Sequence, residues 1–130
     1  AGCAAGDPAG AGDGESRACA GLSAGAHLLG MAAARPDYAT YAPQDELDAV
    51  APSVDSVGLI YPVITLQAPY NHTVTHRMLA GRHATPEQEA QWSIENFVTP
   101  AYPPTFLAQA EDDRISPPQN TLIMREACRR

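Results

Sequence analysis

Lysine is absent from this chain, and all eight basic residues are arginine. Against them stand 15 Asp and Glu, for a formal charge of −7, and the one basic cluster lies between Arg114 and Arg130, where four Arg meet a single Glu. Nucleic-acid surfaces draw affinity from clustered positive charge, so this balance argues against a nucleic-acid partner. The basic cluster suits the negative end of a helix instead. Aromatic residues are scarce as well, with two Phe, one Trp and five Tyr among 130 residues, beside 24 Ala, 10 Gly and 12 Pro. Few bulky side chains are left to build a core. No run of 18 apolar residues occurs and no basic stretch leads an apolar one at the start, so neither a membrane span nor a signal peptide is expected. Cys3, Cys19 and Cys128 form no Cys-x-x-Cys pair. Neither a disulfide framework nor a zinc site follows, and three unrelated thiols are expected, with a lean towards a reducing, cytoplasmic compartment.

From Ala1 to Gly21 there is no Leu, Ile, Val, Met, Phe, Tyr or Trp. Such a segment buries too little apolar area to offset its ordering entropy, so residues 1–15 read as a flexible Ala/Gly-rich leader and residues 16–130 as one domain. The sequence opens on Ala rather than Met, which suggests a processed product or a piece of something longer. Ser16 to Leu22 reads as a poor strand, and Gly25 to Arg35 as a short buried helix stopped by Pro36. Pro36 to Pro52 reads as a surface excursion. Val54 to Ile64 carries Val57, Leu59, Ile60, Val63 and Ile64 close together, the pattern of a strand buried on both faces of a parallel sheet. Thr75 to Ala80 suggests a helical turn. Thr85-Pro86-Glu87-Gln88-Glu89 starts a helix expected to run to about Ile94, with Thr as cap and acids near the positive dipole end. Thr105 to Ala110 is another strand, and Gln119 to Arg130 a helix with Leu122, Ile123, Met124 and Ala127 on its apolar stripe. Strands alternating with helices imply an α/β architecture with a parallel sheet.

Gly21-Leu22-Ser23-Ala24-Gly25 fits Gly-x-Ser-x-Gly and sits between a strand and a helix. A strand turning at once into a helix forces the serine into strained dihedrals, and the glycines two before and two after it keep neighbouring atoms from colliding. The Ser23 hydroxyl then projects above the sheet, and the amide of Ala24, at the helix start, is placed to donate to a developing oxyanion. A second element is the strand from Thr105, followed by Glu111-Asp112-Asp113 and Pro117. It offers a carboxylate on a loop at the carboxyl end of a later strand, 90 residues after Ser23.

On these stretches, together with Leu59-Ile60-Tyr61-Pro62-Val63-Ile64, the chain from about Ser16 onward resembles the α/β-hydrolase esterases and lipases, in particular the acetyl-xylan-esterase or feruloyl-esterase-like group. The resemblance implies a partial α/β-hydrolase fold, Ser23 as nucleophile, Asp113 as the acid that orients a histidine, and Ala24 as one oxyanion donor, with Gly21 and Gly25 as the elbow glycines. Asp113 is preferred to Asp112 because it stands four before Pro117, where the family places its acid. The implied activity is carboxylic ester hydrolysis through a serine acyl-enzyme, deacetylating or feruloyl-releasing on polysaccharides, with no metal and no organic cofactor. The substrate is a small-molecule or carbohydrate ester.

Three features depart from the family pattern. No His follows His83, no His-Gly-Gly loop precedes the elbow, and the strand before Ser23 is Ser-Arg-Ala-Cys-Ala rather than Val- and Ile-rich. The chain therefore resembles a middle section of the fold, expected to turn over weakly or not at all by itself. His27, one turn beyond Ser23, reads as a packing or hydrogen-bonding residue, since a base must first meet the geometry. His72, His76 and His83 read as members of a solvated loop rather than a zinc site. No substrate follows from Tyr38, Tyr41, Tyr61 or Trp92. The competing reading is a non-catalytic α/β interaction module with a structural serine turn, self-associating through an exposed sheet edge.

Overall fold

A computed structural model describes residues 16–38, 42–46 and 54–130. The expected leader, residues 1–15, and Tyr41 lie outside the described residues, as does much of the excursion before Pro52. In chain order the elements are β1 (Ala18–Leu22), α1 (Ala24–Ala34), β2 (Ser56–Ile60), α2 (Val74–Leu79), α3 (Pro86–Gln91), a 3-10 turn (Ile94–Asn96), β3 (Thr105–Ala108) and α4 (Gln119–Arg129).

The three strands form one parallel sheet in the order β1-β2-β3. Register aligns Leu22 with Ile60 and Ile60 with Ala108, so all three strands end in one row. The pairing continues one residue further on both sides of β2: the Ser23 amide donates to the Ile60 carbonyl at 3.0 Å, and the Tyr61 amide to the Ala108 carbonyl at 2.7 Å. Parallel strands need crossover connections, and here α1 and α2–α3 lie on those crossovers.

The core lies on one side of the sheet. Val57 and Leu59 point into it from β2, where they join Ala26 and Met31 of α1, Ile64, Ile94 and Met124 of α4. Leu59, Ile64, Ile94 and Met124 have no exposed surface, and burying each such side chain stabilises the fold by about 1.5–3 kcal/mol. Gly30 lets α1 come this close, because a Cβ there would stand 2.8 Å from Ile94 Cδ1.

Among the described residues the opposite side of the sheet is open. Ala18, Ala20, Leu22 and Phe106 are exposed, and Ala18, Ala20 and Phe106 with Gly58 border a shallow apolar trough of about 470 Å³. This corrects the expectation of a strand buried on both faces over Val54 to Ile64. β2 spans only Ser56–Ile60 and buries alternate residues. Tyr61, at φ 37°, and Pro62 turn the chain off the sheet, and Val63 and Ile64 are buried beyond that turn.

Other expectations shift in detail. α3 ends at Gln91 and Ile94 belongs to the separate 3-10 turn. α3 does start as the sequence implied, with Thr85 and Gln88 forming a reciprocal capping box and Pro86 in the first turn. In α4, Leu122 is exposed, and the buried stripe runs through Asn120, Met124 and Ala127. Cys19 is disulfide-bonded, which overturns the expectation of three unrelated thiols, while Cys128 is a free, exposed thiol. Among the described residues no helix is long and apolar enough to cross a membrane.

Candidate functional site

Ser23 occupies the single residue between β1 and α1, at φ 52° and ψ −118°. A side chain at positive φ is strained, by roughly 1–3 kcal/mol, and persists only where its surroundings impose it. Two backbone bonds do so here: the Ser23 amide to Ile60, and the His27 amide to the Ser23 carbonyl at 3.2 Å. Gly21 is the third constraint, since a Cβ on it would stand 2.6 Å from the Gly25 carbonyl oxygen and 2.8 Å from Ala26 Cα. The close crossing of β1 under the start of α1 therefore needs a bare Gly21. Ser23 is half-exposed, and its side chain makes no capping bond to the helix it precedes. Ala24, exposed, is the first residue of α1, where backbone amides have no intrahelical partner and the helix dipole is positive.

Asp113 lies on the loop after β3, two strands across from Ser23 at the same carboxyl edge of the sheet. Two inter-strand spacings amount to roughly 10 Å. Asp113 Oδ1 accepts the amides of Ile115 and Ser116, each at 2.9 Å, and Oδ2 accepts from Gln109 Nε2 at 3.3 Å. The Ser116 amide chiefly holds its carboxyl below the usual carboxylate range; burial opposes it, and the bonds from Ile115 and then Gln109 add to the lowering. Asp112 next to it is exposed.

The acid loop is anchored to the chain that leaves β2. Ser116 Oγ donates to the Pro62 carbonyl at 2.7 Å. Asn120, fully buried, accepts the amides of Ile64 and Thr65 on Oδ1 at 2.7 and 3.0 Å and donates through Nδ2 to the Pro117 carbonyl at 3.0 Å. These two residues were not among the sequence candidates. A signal for Asn120 existed: it stands four before Met124 and seven before Ala127, a polar residue in phase with an apolar stripe. Tyr61, at positive φ and 38% exposed, stands between Ser23 and the acid loop in the row of strand ends.

The histidines are disposed as follows. His27 is buried, and its Nε2 lies 2.8 Å from the Trp92 carbonyl; a carbonyl only accepts, so Nε2 carries the proton. Burial, the larger effect, lowers the His27 pKa against the opposing hydrogen bond. It is a packing residue under the elbow. His76 lies on α2, within the helical turn expected over Thr75 to Ala80, but it is buried rather than solvated, with Nε2 2.7 Å from Glu89 Oε1. The cap from Thr73 Oγ1 to the His76 amide and the tie to Glu89, which Asn71 Nδ2 also reaches at 3.1 Å, outweigh the poor helix propensity of Asn71 to Thr75. His72 and His83 are exposed. Among the described residues no group of three or more His, Cys, Asp or Glu is placed to hold a metal ion.

Tyr38 and Trp92 meet edge to face at the far end of α1, with centroids 6.3 Å apart, and the Arg35 guanidinium lies over Tyr38 and Phe97. Arg35 and Tyr38 pack beyond the C-terminal end of α1, whereas Trp92 also reaches back along the helix, its carbonyl bound to His27.

No family model matches the sequence. Endo-1,4-beta-xylanase B of Butyrivibrio fibrisolvens is 33% identical over 117 residues, which are 90% of this chain and 18% of that protein. The acetyl ester-xyloside bifunctional hydrolase of Caldicellulosiruptor lactoaceticus is 32% identical, with a TM-score of 0.74 over 85% of this chain and 40% of its own. A lipase/esterase of Lactobacillus plantarum is 28% identical, with a TM-score of 0.60 over 85% of this chain and 41% of its own. The chain thus spans about a fifth of the curated relative's length and two fifths of the solved structures'. Its parallel sheet and flanking helices are a partial α/β-hydrolase fold of the kind found in these esterases.

Proposed function

We infer, for a chain of the α/β-hydrolase esterase family, that it carries the nucleophile and the acid of a carboxylic ester hydrolase. The observation that supports this best is Ser23 held at positive φ between β1 and α1, with Asp113 on the same edge of the sheet. In the proposed reaction Ser23 Oγ attacks the ester carbonyl carbon while a histidine takes its proton. The carbonyl oxygen becomes an oxyanion that the Ala24 amide stabilises. The carbon–oxygen bond to the leaving alcohol then breaks, the histidine returns the proton to that alcohol, and water releases the acid from the acyl-serine. No metal or organic cofactor is required.

Among the four histidines, His27 is committed to Trp92 and His76 to Glu89, so neither is assigned as the base. The 130-residue chain is accordingly expected to hydrolyse esters weakly or not at all, since loss of a triad member costs orders of magnitude. Relatives named for xylan and for acetyl ester-xylosides favour a carbohydrate ester, acetyl or feruloyl, as substrate.

A fluorophosphonate probe tests the nucleophile. Covalent labelling that maps to Ser23 and vanishes in Ser23→Ala supports the reading. Added imidazole supplies the base that no histidine of the chain is assigned to be, and absence of labelling in the folded protein under those conditions overturns it in favour of a non-catalytic interaction module. The open sheet face around Phe106 favours self-association as a property of the chain in either case, and its size-exclusion volume reads this directly.

A further inference from the structure

Gln109, one residue beyond β3, makes contacts that use its whole side-chain amide. Nε2 lies 2.6 Å from the Ser116 carbonyl oxygen and 3.3 Å from Asp113 Oδ2, while Oε1 lies 2.6 Å from Thr121 Oγ1. The orientation is fixed by chemistry. A backbone carbonyl can only accept, so the NH2 end faces Ser116 and the carbonyl end faces Thr121, whose hydroxyl must then donate. One proton of the NH2 goes to Ser116 and the other to the carboxylate.

The residues joined this way close the acid loop on itself. Gln109 grips Ser116 by its carbonyl, and Ser116 returns its amide to Asp113 Oδ1. The two oxygens of Asp113 end up unequal: Oδ1 takes two short backbone bonds, whereas Oδ2 takes one long bond from Gln109. Oδ2 thus retains acceptor capacity for an imidazole N–H.

We propose that Gln109 is the positioning residue of the acid loop: its amide, locked by the Thr121 hydroxyl, holds Ser116 and Asp113 Oδ2 together so that the carboxylate keeps a single orientation with Oδ2 as its open acceptor. This rests on Asp113 being the acid of the proposed esterase. It goes beyond that reading in assigning a residue, and a particular oxygen, that the elbow and acid motifs do not specify. A glutamine amide suits the task because it gives two donors and one acceptor in one plane and stays neutral beside the carboxylate it holds.

The test is the titration of the Asp113 carboxyl in the 130-residue protein, followed through its carboxyl carbon and the amides of Ile115 and Ser116 by NMR. Gln109→Met keeps the length of the side chain and removes its donors and acceptor, so the Asp113 midpoint is expected to rise by about 0.5 pH unit. Thr121→Val keeps the shape of the threonine and only unlocks the amide, and a smaller rise in the same direction is expected. A residue that merely fills space would leave both midpoints where they are in the unchanged protein. If Gln109→Met fails to fold, Thr121→Val decides alone. An unchanged Asp113 midpoint in a folded variant overturns the proposal. Fluorophosphonate labelling of the same samples separates the two readings. Shifted Asp113 with unlabelled Ser23 removes the esterase and keeps the positioning, and labelled Ser23 with unshifted Asp113 does the reverse.

Discussion

The backbone amide of Ser23 donates to the carbonyl of Ile60 at 3.0 Å, a bond that extends the β1–β2 ladder one residue into the turn. That bond, with the bare Gly21 beneath, forces the serine to positive φ at the rim of the sheet rather than letting it slip into the first turn of α1.

Strain at Ser23 has a measurable consequence. Ser23→Gly removes the positive-φ penalty, and the gain of about 1 kcal/mol expected from it exceeds the added entropy of the unfolded chain. Urea unfolding is expected to show equal or greater stability, with all fluorophosphonate labelling lost. A marked destabilisation would mean that the turn is relaxed.

Gly21→Ala acts in the opposite sense. Its Cβ would meet Gly25 O at 2.6 Å and Ala26 Cα at 2.8 Å, both backbone atoms that cannot swing aside. A cost of about 1–3 kcal/mol follows from such overpacking. The lost Tm or urea midpoint reports it, and labelling at Ser23 should fall with the displaced turn.

Asn120→Ala strands the buried amides of Ile64 and Thr65, which both rely on its Oδ1. Each unmet buried donor costs about 1–3 kcal/mol. The variant should be among the least stable of single substitutions, and hydrogen exchange at Ile64 and Thr65 should accelerate first.

Acid should destabilise the fold in two stages. The folded His27 pKa is depressed below 6.5, so the unfolded chain binds the proton more readily and stability falls as pH drops below that value. Asp113 and Glu89 also have lowered pKa values, Glu89 chiefly through Asn71 and then His76. Their contribution is present above the ordinary carboxylate range and is lost as pH falls through their folded values. Urea midpoints between pH 8 and 3 measure both stages, and His27→Gln should remove the first and leave the second.

Much of the fold was readable along the chain because its determinants are local. Thr85, Pro86 and Gln88 announce the start of α3 by capping chemistry that needs no tertiary partner. Gly21, Ser23 and Gly25 mark a turn between strand and helix, and Asp113 follows β3 before a proline. The helix carrying His76 is expected from Thr75 to Ala80, but the burial of His76 is not, because its partner Glu89 lies thirteen residues away, beyond what local propensity registers.

The sequence by itself determined the order of strands and helices and the residue types at the elbow and the acid loop, since periodicity, capping and glycine placement act over a few residues. Only the tertiary structure decided that one face of β2 is open, that His27 donates to Trp92, and that Gln109, Ser116 and Asn120 tie the acid loop to itself and to the chain beyond β2. Those contacts pair polar groups up to 65 residues apart, and which donor reaches which acceptor is set by packing the sheet against α1 and α4.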